Sequence, residues 1–167
     1  MIRNVYVVMG ITGSGKSTVG ATLARKLGVD FVEGDDYHPP ENLQRMASGI
    51  PLTDDDRASW LRALAARIRE AHDAGTGLVV TCSALKRSYR DILRAAAPEL
   101  RFVFLNGPRA LISERLAERR GHFMPASLLD SQLATLEEPA VDELAWAYDI
   151  SESAQKIVDD IVTRTSA

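Results

Sequence analysis

The sequence predicts an α/β fold built on a parallel sheet, and three observations carry that expectation. Short apolar runs at residues 5–9, 31–33, 78–82, 102–105 and 145–150 alternate with longer segments of helical period. Four of these runs are nearly continuous in apolar residues, as strands covered by helices on both faces are. No repeat, low-complexity tract or linker rich in Gly, Ser or Pro breaks the 167 residues, so one core is expected to serve a single domain, 1–167.

Each element has a local reason. The first run leads into Gly10-Ile11-Thr12-Gly13-Ser14-Gly15-Lys16-Ser17, a glycine-rich turn that opens a helix. The second run ends in Glu33-Gly34-Asp35-Asp36. Asp36 is read there mainly as a cap for the next helix, which Pro39 and Pro40 start and Gly49 and Pro51 close. Thr53 followed by Asp54, Asp55 and Asp56 supplies an N-cap hydroxyl and first-turn negative charge for a helix over residues 54–74. Its buried stripe is Leu61, Leu64, Ile68 and Ala71, and Gly75 and Gly77 end it before the third strand. Pro108 opens a helix carrying Leu111, Ile112 and Leu116, and the last run, with Tyr148 and Asp149, reads as a sheet edge.

Composition narrows the function classes. With 46% hydrophobic and 26% charged residues and a formal charge of -3, the chain has the balance of an ordinary globular protein, and nucleic acid is not an expected partner. No apolar run approaches the roughly 20 residues needed to span a bilayer, so no membrane association is expected and the default location is cytoplasmic. The single cysteine, Cys82, sits among apolar neighbours and reads as an inert buried thiol. Trp60, Tyr89 and Trp146 read as core, and His72 as ordinary surface.

The strongest chemical signal is the glycine-rich turn, which satisfies G-x-x-x-x-G-K-[ST] directly after a strand. Gly10, Thr12, Gly13, Ser14 and Gly15 let the backbone wrap close to a nucleotide's phosphates, where successive N–H groups and the helix N-terminus make a partly positive cradle. Lys16 is placed to reach the β- and γ-phosphates of ATP, and the Ser17 hydroxyl to ligate Mg2+. Thr18 borders the same site. Such a loop alone leaves a kinase, a GTPase switch or a motor ATPase open. The chain has no Asn-Lys-x-Asp base-reading motif and is short for a motor, but it carries a second acidic site at Glu33 to Asp36. Ligands gather beyond the carboxyl ends of strands in an open parallel sheet. Asp35 is therefore assigned to the acceptor hydroxyl, and Glu33 to an indirect role on magnesium.

Arginine placement adds to this. Arg57 lies four and seven residues before Leu61 and Leu64, on the buried stripe of its helix, where a guanidinium needs an anion. Arg115 and Arg119 are one turn apart on the face of Leu111. With Arg120, Gly121 and His122 they read as the start of a small lid over residues 119–137 that closes on the triphosphate and excludes water.

These residues also carry a family resemblance. Gly34-Asp35-Asp36-Tyr37-His38-Pro39, Asn42, Met46, Gly49-Ile50-Pro51-Leu52, Cys82-Ser83-Ala84-Leu85-Lys86, Tyr89-Arg90-Asp91, Gly121-His122-Phe123-Met124-Pro125 and Ser131-Gln132 resemble bacterial and animal gluconokinases. The likeness runs from the phosphate loop to about Pro139. It implies the nucleoside-monophosphate-kinase fold with sheet order 2-3-1-4-5, a moving lid, a homodimer, and transfer of phosphate from Mg-ATP to the 6-hydroxyl of D-gluconate. It further implies that Arg57 binds the carboxylate, that Lys86 and Arg90 lie near the acceptor or the transferring phosphate, and that Ser83, His38, Gln132, Arg45 and His122 line the acceptor site. Catalysis is assigned to Lys16, Asp35 and Arg119. A shikimate-kinase-like enzyme and a non-catalytic ATP-dependent binding protein are the alternatives that share these features.

Overall fold

Strand β1 (Val5–Met9) is buried at every position, as befits a strand inside a sheet with helices over both faces. The computed structural model describes residues 4–118 and 126–166. In it, β1 pairs in parallel with β3 (Leu78–Thr81) on one side and β4 (Arg101–Asn106) on the other. β2 (Phe31–Glu33) adds outside β3 and β5 (Trp146–Asp149) outside β4, also in parallel, giving the order β2-β3-β1-β4-β5. This is the order the family resemblance implied. β5 is the expected edge, and β2 is the other, partly accessible along its whole length.

Alternation along β1 divides the core in two. Val5, Val7 and Met9 face a layer that includes Trp60, Leu61, Leu64 and Ile68 of α3 (Asp54–Ala74) and Leu93 of α4 (Arg87–Arg94). Tyr6 and Val8 face the opposite layer, with Val19 and Leu23 of α1 (Lys16–Leu27) and Ile157, Val158 and Ile161 of α7 (Ala154–Ser166). A one-residue slip of register would exchange the two sets, so both layers hold the strand in place. Ile112 of α5 (Arg109–Glu118) and Leu129 of α6 (Ala126–Thr135) extend the second layer toward the phosphate loop. Among the described residues no helix is long and apolar enough to cross a membrane.

The helix ends follow the local signals. The Asp56 N–H donates to Thr53 Oγ1 at 3.1 Å and the Thr53 N–H to the Asp56 carboxylate at 2.9 Å, a reciprocal capping box that satisfies two otherwise orphaned donors of α3. Helix α2 (Pro40–Ala47) starts behind Pro39 with no side-chain cap, so Asp36 does not cap it. Asp36 lies instead in a single 3-10 turn, Gly34–Tyr37.

That turn is clamped at its first residue. A Cβ on Gly34 would stand 1.9 Å from the Thr81 carbonyl oxygen, so no other side chain fits without moving β2 from β3. The Gly34 N–H donates to Thr81 Oγ1, and the Gly34 carbonyl accepts from Trp60 Nε1–H at 2.7 Å. Asp35 and His38 are thereby fixed relative to β3 and α3.

Three readings concern the core. Cys82 is buried, and burial pushes its thiol up to about 12, so it is inert as expected. His72 is not ordinary surface, because its Nδ1 lies 2.8 Å from Glu99 Oε2 in a half-buried pair. Arg90 is fully buried: Nε and Nη2 donate to Glu143 and Nη1 donates to the Ala84 carbonyl at 2.8 Å. Burial opposes the Glu143 charge, but Arg90, the Ala140 N–H and Arg94 outweigh it and hold that carboxyl well below its usual range. Arg90 therefore anchors the segment after β3 and does not reach a ligand, which corrects its assignment to the acceptor site.

Candidate functional site

The loops after β1, β2 and β3 converge because parallel strands deliver all their carboxyl ends to one edge of the sheet. The phosphate loop enters α1 through Gly15 at φ +94, a left-handed conformation that glycine adopts without steric cost. Lys16 Nζ donates to the carbonyls of Gly10 and Ile11, both at 3.0 Å. Ser14 is buried, and its hydroxyl has no hydrogen-bond partner among the described residues.

On one side of this loop is an open groove lined by Gly13, Ser14, Gly15, Thr18, Arg115 and Glu118, closed opposite by Ile150, Glu152, Ser153 and Ala154. Arg115 Nη2 donates to the Ile150 carbonyl at 2.5 Å, which draws α5 to the loop after β5. Sequence reasoning did not identify the Ile150 to Ala154 wall. Its position beyond the carboxyl end of the last strand is the signal that would have located it.

On the other side is a smaller pocket lined by Thr12, Lys16, Asp35, His38, Arg57, Ser83 and Gln132, with Met46, Leu52 and Trp60 as its apolar wall. Residues 120 positions apart meet here, since the Thr12 N–H donates to Gln132 Oε1 at 2.7 Å. Helix α6 thus touches the phosphate loop, and just beyond it the Glu137 N–H donates to the Leu85 carbonyl while Glu137 Oε1 accepts from the Arg87 N–H. Arg57 points into the pocket with Nη1 held by the Leu52 carbonyl at 3.0 Å and the Tyr89 hydroxyl at 3.1 Å. The Tyr89 hydroxyl donates in turn to Asp54, which also accepts from Lys86 Nζ at 3.0 Å. Lys86 therefore stands behind Arg57 in this network and is not among the residues lining the pocket.

Arg45 is directed elsewhere, with Nη1 on Asp56 Oδ1 at 2.7 Å at an exposed position, so its sequence-based placement in the acceptor site is not what the structure shows. Arg119 and His122 lie outside the described residues, as does the first stretch of the expected lid, 119–125, whereas 126–137 are described. Glu33 Oε2 accepts from Thr81 Oγ1 at 2.7 Å. Ser17 and Glu33 offer only oxygen donors, the hard-ligand chemistry that Mg2+ prefers. Among the described residues there is no group of three or more His, Cys, Asp or Glu that could hold a metal ion.

His38 is the most constrained polar group of the pocket. Its ring stacks on Trp60 with centroids 4.0 Å apart and planes 17° apart, and its Nε2 stands 4.0 Å from Asp35 Oδ1. Burial pushes the imidazole down from 6.5 to about 4, with Asp35 opposing the shift and Arg57 adding to it. The unfolded chain thus binds the extra proton first, so stability is complete above 6.5 and is lost as the pH falls toward about 4. By the lower bound the loss from this ring reaches about 3 kcal/mol. Urea unfolding of the wild type and of His38→Gln across this range should show that slope in the wild type alone. An equal slope in both would place the acid sensitivity elsewhere.

Comparison with known proteins gives concordant matches. A family model described as an AAA domain matches residues 5–139. A gluconokinase of Gluconobacter oxydans is 54% identical over 137 residues, covering 82% of this chain and 77% of that protein. The thermoresistant gluconokinase of Escherichia coli is 42% identical over 157 residues, covering 93% and 90% respectively. A crystal structure of a gluconokinase from Sinorhizobium meliloti superposes with a TM-score of 0.86 at 50% identity, covering 95% of this chain and 89% of that one.

Proposed function

Because this chain belongs to the gluconokinase family, we propose that D-gluconate occupies the pocket lined by Asp35, His38, Arg57, Ser83 and Gln132, with ATP along the groove beside Arg115. The reaction is transfer of the γ-phosphate of ATP to the 6-hydroxyl of D-gluconate, giving 6-phospho-D-gluconate and ADP. The observation that carries the residue assignment is the meeting of Asp35 with Lys16 and Thr12 in one pocket, which puts a carboxylate beside the phosphate loop.

Asp35 orients the 6-hydroxyl and takes its proton as the oxygen bonds to the γ-phosphorus and the bond to the bridging oxygen of ADP breaks. Lys16 leaves the Gly10 and Ile11 carbonyls for the β- and γ-phosphates, and Arg115, with Arg119 from the lid, adds positive charge around the transferring group. Arg57, held by Leu52 and Tyr89, meets the gluconate carboxylate as a preoriented fork. Ser83, His38 and the amide nitrogen of Gln132 bind hydroxyls. Mg2+, held by Ser17 and through its waters by Glu33, would neutralise charge on the β- and γ-phosphates.

An ADP-release assay with gluconate, shikimate, glycerate and AMP as acceptors tests the assignment. ADP is expected with gluconate alone. Release with AMP or shikimate but not gluconate would overturn it.

A further inference from the structure

Asn42 does not line either pocket, yet it is buried and uses its amide in a way that determines the chemistry of His38. Its Nδ2 makes two contacts, one to the Asp56 carbonyl at 2.8 Å and one to His38 Nδ1 at 3.1 Å. A backbone carbonyl can only accept, so the atom facing it must be the NH2 and the amide orientation is fixed. The second N–H of that same NH2 then points at His38 Nδ1, which must accept. A neutral imidazole accepting at Nδ1 carries its proton at Nε2.

Nε2–H is the edge of the ring that faces Asp35 Oδ1 across 4.0 Å. At that separation the two atoms are not bonded to each other, but one hydroxyl oxygen can reach both at about 2.8 Å. It would accept from Nε2–H and donate to the carboxylate.

We propose that Asn42 is a positioning residue that locks His38 as a neutral Nε2–H donor, so that His38 and Asp35 together read the acceptor hydroxyl that gives up its proton. The inference deepens the gluconate reading above and rests on it. Trp60 fixes the ring plane by stacking, and Asn42 fixes its proton. The charged groups acting on the ring are Asp35 from its own turn and Arg57 from α3, and Lys16 of α1 lines the same pocket. A second proton on the ring would have to point at the Asn42 N–H, which blocks it. Because the donor is uncharged, it holds the hydroxyl without neutralising the Asp35 carboxylate that must take the proton.

The tests separate the tautomer from mere packing. Long-range 1H–15N spectra of the 15N-labelled wild type at neutral pH should show the His38 ring, assigned by its loss in His38→Gln, neutral and protonated at Nε2. A ring protonated at Nδ1, or at both nitrogens, overturns the proposal. The Gln amide nitrogen overlays imidazole Nε2 and the Asn nitrogen overlays Nδ1, so the two variants differ in where they present a donor. His38→Gln should keep kcat/KM for gluconate within about tenfold of wild type, and His38→Asn should lose about a hundredfold, the scale of a hydrogen bond to a charged partner. Equal losses would mean that the ring acts by stacking alone, and the proposal falls. Asn42→Asp, folded by circular dichroism, should move the His38 proton to Nδ1 or add a second one, with a parallel loss in kcat/KM. An unchanged tautomer in that variant also overturns it. Should the wild type fail to phosphorylate gluconate, the substrate reading fails while the tautomer result stands; if gluconate is phosphorylated and the ring is protonated at Nδ1, only this inference fails.

Discussion

Replacing Asp35 by Asn is expected to lower kcat by about a thousandfold, within the range for a positioned general base, while Mg-ATP binding stays intact. The Asp35 carboxylate is largely exposed, with its side chain at 75% accessibility, so its work is directed toward an incoming ligand and not toward the core. Its placement depends on the Gly34 clamp against Thr81 and Trp60, neither of which touches the carboxylate. Asn keeps the size and one acceptor oxygen, and the 3-10 turn should survive. What Asn lacks is a place for the proton. The transferring phosphoryl group passes through a loose transition state, so the proton leaves late and the effect should fall on kcat more than on the Michaelis constant for gluconate. Steady-state kinetics with a nucleotide-induced thermal shift as the binding control would measure both. Turnover within tenfold of wild type would mean that the proton leaves without Asp35, whose part would then be orientation alone.

The sequence made the phosphate loop legible because all its constraints are local, with glycines, Lys16 and Ser17 at fixed spacing after a strand. The sheet order came from the resemblance and the helix limits from caps, and the 54–74 helix has the bounds its Thr53 and Gly75 signals give. Arg57 was found because a guanidinium on an apolar stripe needs an anion. Arg90 was placed near the acceptor by the resemblance alone, which gives a position along the chain and not the partner of the side chain. Its anion, Glu143, lies 53 residues away and is itself buried. Arg45 was likewise already paired, to Asp56 one helix later. Asn42 entered only among the residues that carry the resemblance, with no role attached, because an amide in a helix reads as polar surface until its two acceptors are seen. The contact between Gln132 and the Thr12 amide joins elements that no window of sequence could bring together.

Lys16→Ala is the second large effect, and its signature should differ from that of Asp35→Asn. In the structure the Lys16 ammonium donates to the carbonyls of Gly10 and Ile11, two neutral acceptors within its own loop. Both kinds of hydrogen bond have an ionised donor, but only the phosphate is itself an anion, so an arriving phosphate adds charge–charge attraction and has a net advantage over the loop carbonyls. The advantage grows as charge accumulates toward the bridging oxygen during transfer, which places most of the lysine's contribution in the transition state. Turnover should fall about a thousandfold in Lys16→Ala. The thermal shift produced by Mg-ATP, which scales with the logarithm of ligand over Kd, should also shrink markedly, whereas Asp35→Asn keeps it. Basal stability should change little, because the side chain is only partly buried. Lys16→Arg should not restore turnover, since a planar fork cannot replace a compact point charge in a cradle closed around Gly13 and Gly15. If Lys16→Ala kept both the thermal shift and a turnover within tenfold of wild type, the loop's backbone N–H groups would suffice to hold the phosphates, and the charge near the transferring group would have to come from Arg57, Arg115 or the lid.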